Sequence, residues 1–154
     1  MLRSIIAVIA TYILMAILIV AAFMGLWIGM GPNRLLEPGS FQGNLFFTIA
    51  APAITVIVGL FGGWMCATIS RGRTPVIVLA SVVLVLGLLT AALTLQKPFP
   101  ADPRDPNMTM EQLMLVGREP TWLAIFNPIG GAAAVLLGGL ILTRRSAGTA
   151  PTNR

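Results

Sequence analysis

The chain has no histidine, a single cysteine and, in 154 residues, only ten basic and five acidic side chains. Each scarcity closes off a class of chemistry. Without histidine there is no bis-histidine haem, no histidine-ligated chlorophyll or zinc, and no base for a Ser–His or Cys–His dyad. Cys66 alone can form neither an internal disulfide nor a Cys-x-x-Cys redox pair. It reads as a small apolar packing residue.

The scarcity of charge is also a matter of position. Residues 5–30, 45–70, 76–95 and 121–143 contain no Asp, Glu, Lys or Arg. An ionisable group within a span is the usual mark of a pump or proton-coupled carrier. Small multidrug carriers share this chain's size but need a membrane glutamate, so the likeness ends at size. Membrane enzymes of the glutathione type share the four-helix format but require polar and charged residues inside the bundle. The eight methionines are scattered along apolar runs or lie at a loop-to-helix transition, which does not make a copper site. The sequence therefore predicts a protein that is not an enzyme and has neither cofactor nor metal.

What is present is apolar surface. Hydrophobic residues make up 56% of the chain, and the mean hydropathy is +0.90. The four uncharged runs make helices of roughly 30–39 Å, against a hydrocarbon core of about 30 Å. The fold class expected is all-α, a single domain built as a polytopic bundle of four transmembrane helices. The first run is too long for the apolar region of a signal peptide, so it reads as a retained helix.

The net charge of +5 sorts by side rather than forming a nucleic-acid patch. Arg3, Arg71, Arg73, Arg144, Arg145 and Arg154 fall at the termini and in the 2–3 loop, a total of +6. Arg34, Lys97, Arg104 and Arg118 share the other loops with Glu37, Asp102, Asp105, Glu111 and Glu119, which gives 4 − 5 = −1. By the positive-inside rule both termini are cytoplasmic, in a bacterial inner membrane. Trp27, Phe46, Phe47, Trp122 and Phe126 gather at the outer helix ends, as an aromatic belt does. Membrane lipids and other membrane subunits are the expected partners, and a homo-oligomer is compatible with the pattern.

Two phrases echo one another, "APAITVIVGLFGG" at 51–63 and "NPIGGAAAVLLGG" at 127–139. Each sets a proline in an expected first turn and a Gly-Gly pair deeper in the helix, which suggests two parallel helical hairpins. Small residues recur at four-residue spacing in Gly59, Gly63 and Ala67, in Gly130, Ala134 and Gly138, and in Ala21, Gly25 and Gly29. Lipid gives helices no hydrophobic reason to associate, so close approach over such ridges is how they join. The second and fourth helices are expected to cross closely, with the Gly25–Gly29 ridge left for a neighbouring helix.

Loop 96–120 holds five prolines. Its first half should be polyproline-like. Its second half reads as a short interfacial helix near 109–116, opened by a Thr109–Gln112 capping box and stopped by Gly117. Met110, Leu113 and Met114 then share one face, expected to lie on the membrane surface or to dock on a partner.

The runs "GGWMCATISRGRTPVIVLASVVLVLGLL" and "REPTWLAIFNPIGGAAAVLLGG" resemble small four-helix integral membrane proteins of environmental bacteria that carry no assigned activity. The resemblance implies the same topology and no mechanism.

Two functions are then open. The first is a non-catalytic accessory subunit of a respiratory, photosynthetic or transport complex, offering helix surface and an outer docking loop. The second is a small-solute or lipid-binding membrane protein, or a transporter, working as a homo-oligomer. A solid bundle favours the first. A lipid-accessible cavity lined by threonine and glycine favours the second.

Overall fold

The computed structural model describes residues 2–97, 104–105 and 107–147, except for the side chains of Met110 and residues 142–147. The expected polyproline stretch, Asp102, Arg154 and most of the C-terminal tail lie outside the described residues. The helices are α1 (Leu2–Met30), α2 (Pro32–Leu35), α3 (Leu45–Ser70), α4 (Arg73–Leu95), α5 (Met110–Val116) and α6 (Thr121–Ala147). Segments Leu2–Met30, Leu45–Ser70, Arg73–Leu95 and Thr121–Ile141 are long and apolar enough to cross a membrane. The protein is an all-α, multi-pass membrane bundle.

Helix ends follow local chemistry. Asn44 opens α3, its side-chain oxygen accepting from the Phe47 N–H at 3.0 Å while its amide donates to the Arg34 carbonyl at 2.6 Å. At the opposite, arginine-bearing end, α3 stops where Arg71 turns left-handed at φ 55°, its N–H donating to the Ala67 carbonyl. Arg3 Nε donates to the Ile69 carbonyl at 2.7 Å. This places a cation on the negative end of the α3 dipole.

The bundle is closest where α3 meets α6. A Cβ built on Gly59 would lie 2.8 Å from the Ala134 Cβ and 2.9 Å from the Gly131 carbonyl. A Cβ on Gly63 would overlap the Val135 carbonyl, and one on Gly138 the Leu60 carbonyl. Ala67 and Ala134 are buried along the same line. The two helices thus touch backbone to backbone. Gly87 brings α4 against Pro128 of α6, and Gly62 receives Met15 of α1. The core of this bundle is Ala7, Met15, Val58, Cys66, Val76, Leu79 and Val135 with their neighbours.

Three expectations need correction. Gly130 does not make the closest α3–α6 approach: a Cβ there would first meet the Phe126 ring of its own helix, at 3.2 Å. The adjacent Gly131 is the buried one, facing Thr55. Pro52 and Pro128 are not in first turns, because α3 and α6 begin at Leu45 and Thr121 and both prolines fall inside the helix. Trp27 is not in an exposed belt but is 7% exposed, inside a second core.

That second core sits at the loop end, where the last turns of α1 meet the two long loops. Trp27, Leu35, Leu36, Phe41 and Leu113 are buried together, with Met108, Met114 and Val116 packed against them. Main-chain bonds knit the two long loops. The Arg118 N–H donates to the Phe41 carbonyl and the Gly43 N–H to the Arg118 carbonyl, both at 2.8 Å. Arg104 donates to the Asn33 side chain at 2.8 Å. Helix α5 carries its capping box, with the Thr109 and Gln112 side chains each bonded to the other's backbone N–H. Leu113 therefore points into its own chain at 4% exposure, and Met114 is partly buried beside it. The open docking face expected of α5 is closed at Leu113, because the 1–2 loop folds up beneath it. The Met110 side chain lies outside the described residues.

Candidate functional site: a cavity between α1, α4 and α6

Helix α1 packs on α3, and α6 packs between α3 and α4, while α1 touches α4 more sparingly. The slack on that fourth side leaves a cavity of about 450 Å³ in the half of the bundle nearer the loops. This is within the usual range of about 300–1,000 Å³ for sites that hold small molecules.

Its walls come from successive helical turns. On α1, Tyr12, Met15, Ile19 and Phe23 share one face, with Ala16 and Val20 at its edge. Helix α4 supplies Val83, Leu86, Gly87, Thr90, Ala91 and Thr94, α3 supplies Thr55, and α6 supplies Ala124, Asn127 and Pro128. Thr55 and Thr90 bond back to the Ala51 and Leu86 carbonyls, so their hydroxyls are already spent on their own helices. The deep wall is therefore apolar. The side between α1 and α4 is open: Val20 is 61% and Leu86 41% exposed, and Ala16 and Thr90 are exposed beside them. In a membrane that opening faces hydrocarbon.

The polar end is at the loops. Glu119 lies just before α6 and lines the cavity with Asn127. The Asn127 amide N–H donates to the Glu119 carboxylate at 3.0 Å. The Asn127 Oδ1 is buried with no hydrogen-bond partner among the described residues. Burial pushes the Glu119 carboxyl above its ordinary value, and the hydrogen bond from Asn127 works against that rise. Pro128 has no N–H to offer the Ala124 carbonyl, another group at this end of the cavity. Next to Glu119, outside the lining itself, the Arg118 guanidinium donates to the Thr94 and Lys97 carbonyls at 3.0 and 2.8 Å. It thus ties the end of α4 to the cap.

The small-residue positions read from the sequence divide among different surroundings. Gly59, Gly63, Ala67, Ala134 and Gly138 belong to buried packing, and a Cβ on Gly130 would first meet its own helix. Gly25 and Gly29 have nothing within 4 Å of a built Cβ. None of these, nor Leu113 or Met114, lines the cavity. Of the residues that give the site its chemistry, Glu119 enters the sequence reading only as a loop charge and Asn127 only as the first letter of the phrase at 127–139. Their spacing of eight residues, about two helical turns, was the signal that could have joined them. Compared with protein families, with curated proteins and with solved structures, the chain matches none.

Proposed function

We propose that the protein binds a small amphipathic molecule, a lipid or a lipid-soluble solute, in the cavity between α1, α4 and α6. The role is one of binding without catalysis. The observation that carries it is the shape of the space: apolar walls, a polar end at Glu119 and Asn127, and a side opening at Val20 and Leu86. A ligand can enter sideways from the bilayer, lay its apolar body against α1 and α4, and leave its polar group near the membrane surface. Native mass spectrometry of protein released from mild detergent tests this. Wild type is expected to keep a discrete small-molecule adduct that Ala16→Trp, which fills the mouth, loses by about tenfold or more, as displacement from a single apolar site should. Equal adducts on both proteins, or none on either, would remove the proposal.

A second reading, an accessory subunit of a larger membrane complex, is supported by the uncovered Gly25–Gly29 face of α1. Close helix approach over glycines is a common way for spans to join. On that reading, Gly25→Leu together with Gly29→Leu strips co-purifying membrane proteins from the chain and leaves its own bundle intact.

For orientation we propose a cytoplasmic arginine-bearing end, in the inner membrane of a bacterium. Arg3, Arg71 and Arg73 gather there, and this is the distribution the positive-inside rule describes. Reporter fusions after Arg73 and at the C-terminus are expected to report cytoplasm, and a fusion at Asp105 the opposite side. A cytoplasmic signal at Asp105 would invert the assignment.

A further inference from the structure

We infer that the cavity selects a cationic amphiphile, a molecule with a protonated amine and an apolar body, whose ammonium sits between the Glu119 carboxylate and Asn127 Oδ1. The inference rests on the binding role proposed above and names the charge of the ligand.

The acceptors decide the chemistry. With Glu119 ionised its carboxylate can only accept, so Asn127 turns an amide N–H to it, at 3.0 Å. Its Oδ1 is thereby committed as an acceptor, and it is buried without a partner among the described residues. A buried acceptor left unmade is costly, and so is a half-buried carboxylate with no counter-charge among the described residues. One ligand group satisfies both: an ammonium, with three donors and a positive charge. An anionic or acceptor-only head group would meet the Glu119 carboxylate and the Asn127 Oδ1, which offer it no proton. A sugar would find too few polar partners below this end. The rest of the lining suits an amine with an apolar tail. Phe23 lines the cavity from α1 toward the loop end, and Tyr12 lines it further down the same helix. Arg118 is turned to the carbonyls that end α4.

Protons compete with the ligand. When Glu119 is protonated, seating the ammonium displaces the proton: the carboxylic acid and the alkylammonium give a carboxylate–ammonium pair and one proton released to solvent. Burial raises the Glu119 carboxyl, so protonation weakens amine binding from a pH above the ordinary range of about 4 for a glutamate. Arg118 adjoins Glu119 in the chain and bonds the Lys97 carbonyl, neither cation lines the cavity, and the phenol of Tyr12 lines it further down α1. No further acid lines the cavity among the described residues.

The test uses the full chain in lipid nanodiscs and two fluorescent probes, dansylcadaverine and its neutral N-acetyl derivative. Wild type is expected to bind the amine about tenfold or more tighter, as a charge-assisted hydrogen-bonded pair would. Glu119→Gln should bring the two probes level while still binding the acetylated one, and Glu119→Asp should keep the preference. Acidification should erase the preference in wild type. Equal affinity for both probes in wild type overturns the inference, and so does a preference that survives in Glu119→Gln or is flat with pH. If Glu119→Gln does not fold, the Glu119→Asp variant and the wild-type pH titration still decide. A missing preference alongside a discrete native adduct would sink the cationic assignment alone. Loss of the adduct itself would sink the binding role.

Discussion

Gly63→Leu and Gly138→Leu are each expected to take α3 and α6 apart. A Cβ at either position runs into a backbone carbonyl of the facing helix, Val135 for Gly63 and Leu60 for Gly138. A side chain in the way could rotate, but a carbonyl moves only with its helix. Even alanine should therefore cost about 2–3 kcal/mol, the upper part of the range for overpacking, and leucine more. Thermal unfolding in mild detergent measures this. The internal control is α1, where Gly25→Ala and Gly29→Ala meet nothing within 4 Å and should leave the transition where it was. Equal effects at all four positions would mean that the α3–α6 contact is not what holds the bundle.

Trp27→Ala is expected to release the cap while leaving the spans inserted. Trp27 is 7% exposed among Leu35, Leu36, Phe41 and Leu113, and its ring edge reaches to 3.5 Å from a Cβ built on Gly117. Truncating a buried tryptophan costs about 3–5 kcal/mol, and here the loss falls on one small cluster with no second layer behind it. Limited proteolysis should then cut within 104–118 in the variant and spare wild type. The tie between Arg118 and the end of α4 should loosen as well, because Arg118 is fixed by the Phe41 and Gly43 backbone that this cluster supports. Wild-type resistance to protease would show that the main-chain bonds between the loops suffice without the tryptophan.

The spans were legible because their signal is compositional and local: twenty or more residues without a charge leave few alternatives in a membrane. The α5 capping box is legible for the same reason, since Thr109 and Gln112 are three residues apart. What escaped depends on distant partners. Gln42 meets Arg118 in a parallel bridge that nothing near either residue announces. The apolar face of α5 consequently looked open although Leu113 is covered by the 1–2 loop. At the crossing, the run from Gly130 to Ala134 offers small residues at every position. Spacing alone chose Gly130, while a single step of about 100° around the helix puts Gly131 inward instead. The cavity exists because α1 and α4 do not close on one another. That follows from how α3 and α6 position both helices, and no local pattern records it. Glu119 was correctly read as lying outside the spans. That it lines a cavity together with residues of α1, α3 and α4 is again a long-range feature.

The central claim is that a small molecule occupies the space beside Met15, and photo-methionine incorporated into the wild-type chain tests it most directly. Met15 lines the cavity at 4% exposure, and Met24 on the same helix is 44% exposed toward lipid. After irradiation in native membranes and digestion, Met24 should carry bilayer lipid adducts in any case. Met15 is expected to carry a small-molecule adduct as well, one that differs from the bulk lipid profile at Met24 and that Ala16→Trp removes. Adducts at Met24 together with a Met15 linked only to the neighbouring Gly62 segment of its own chain would contradict the claim.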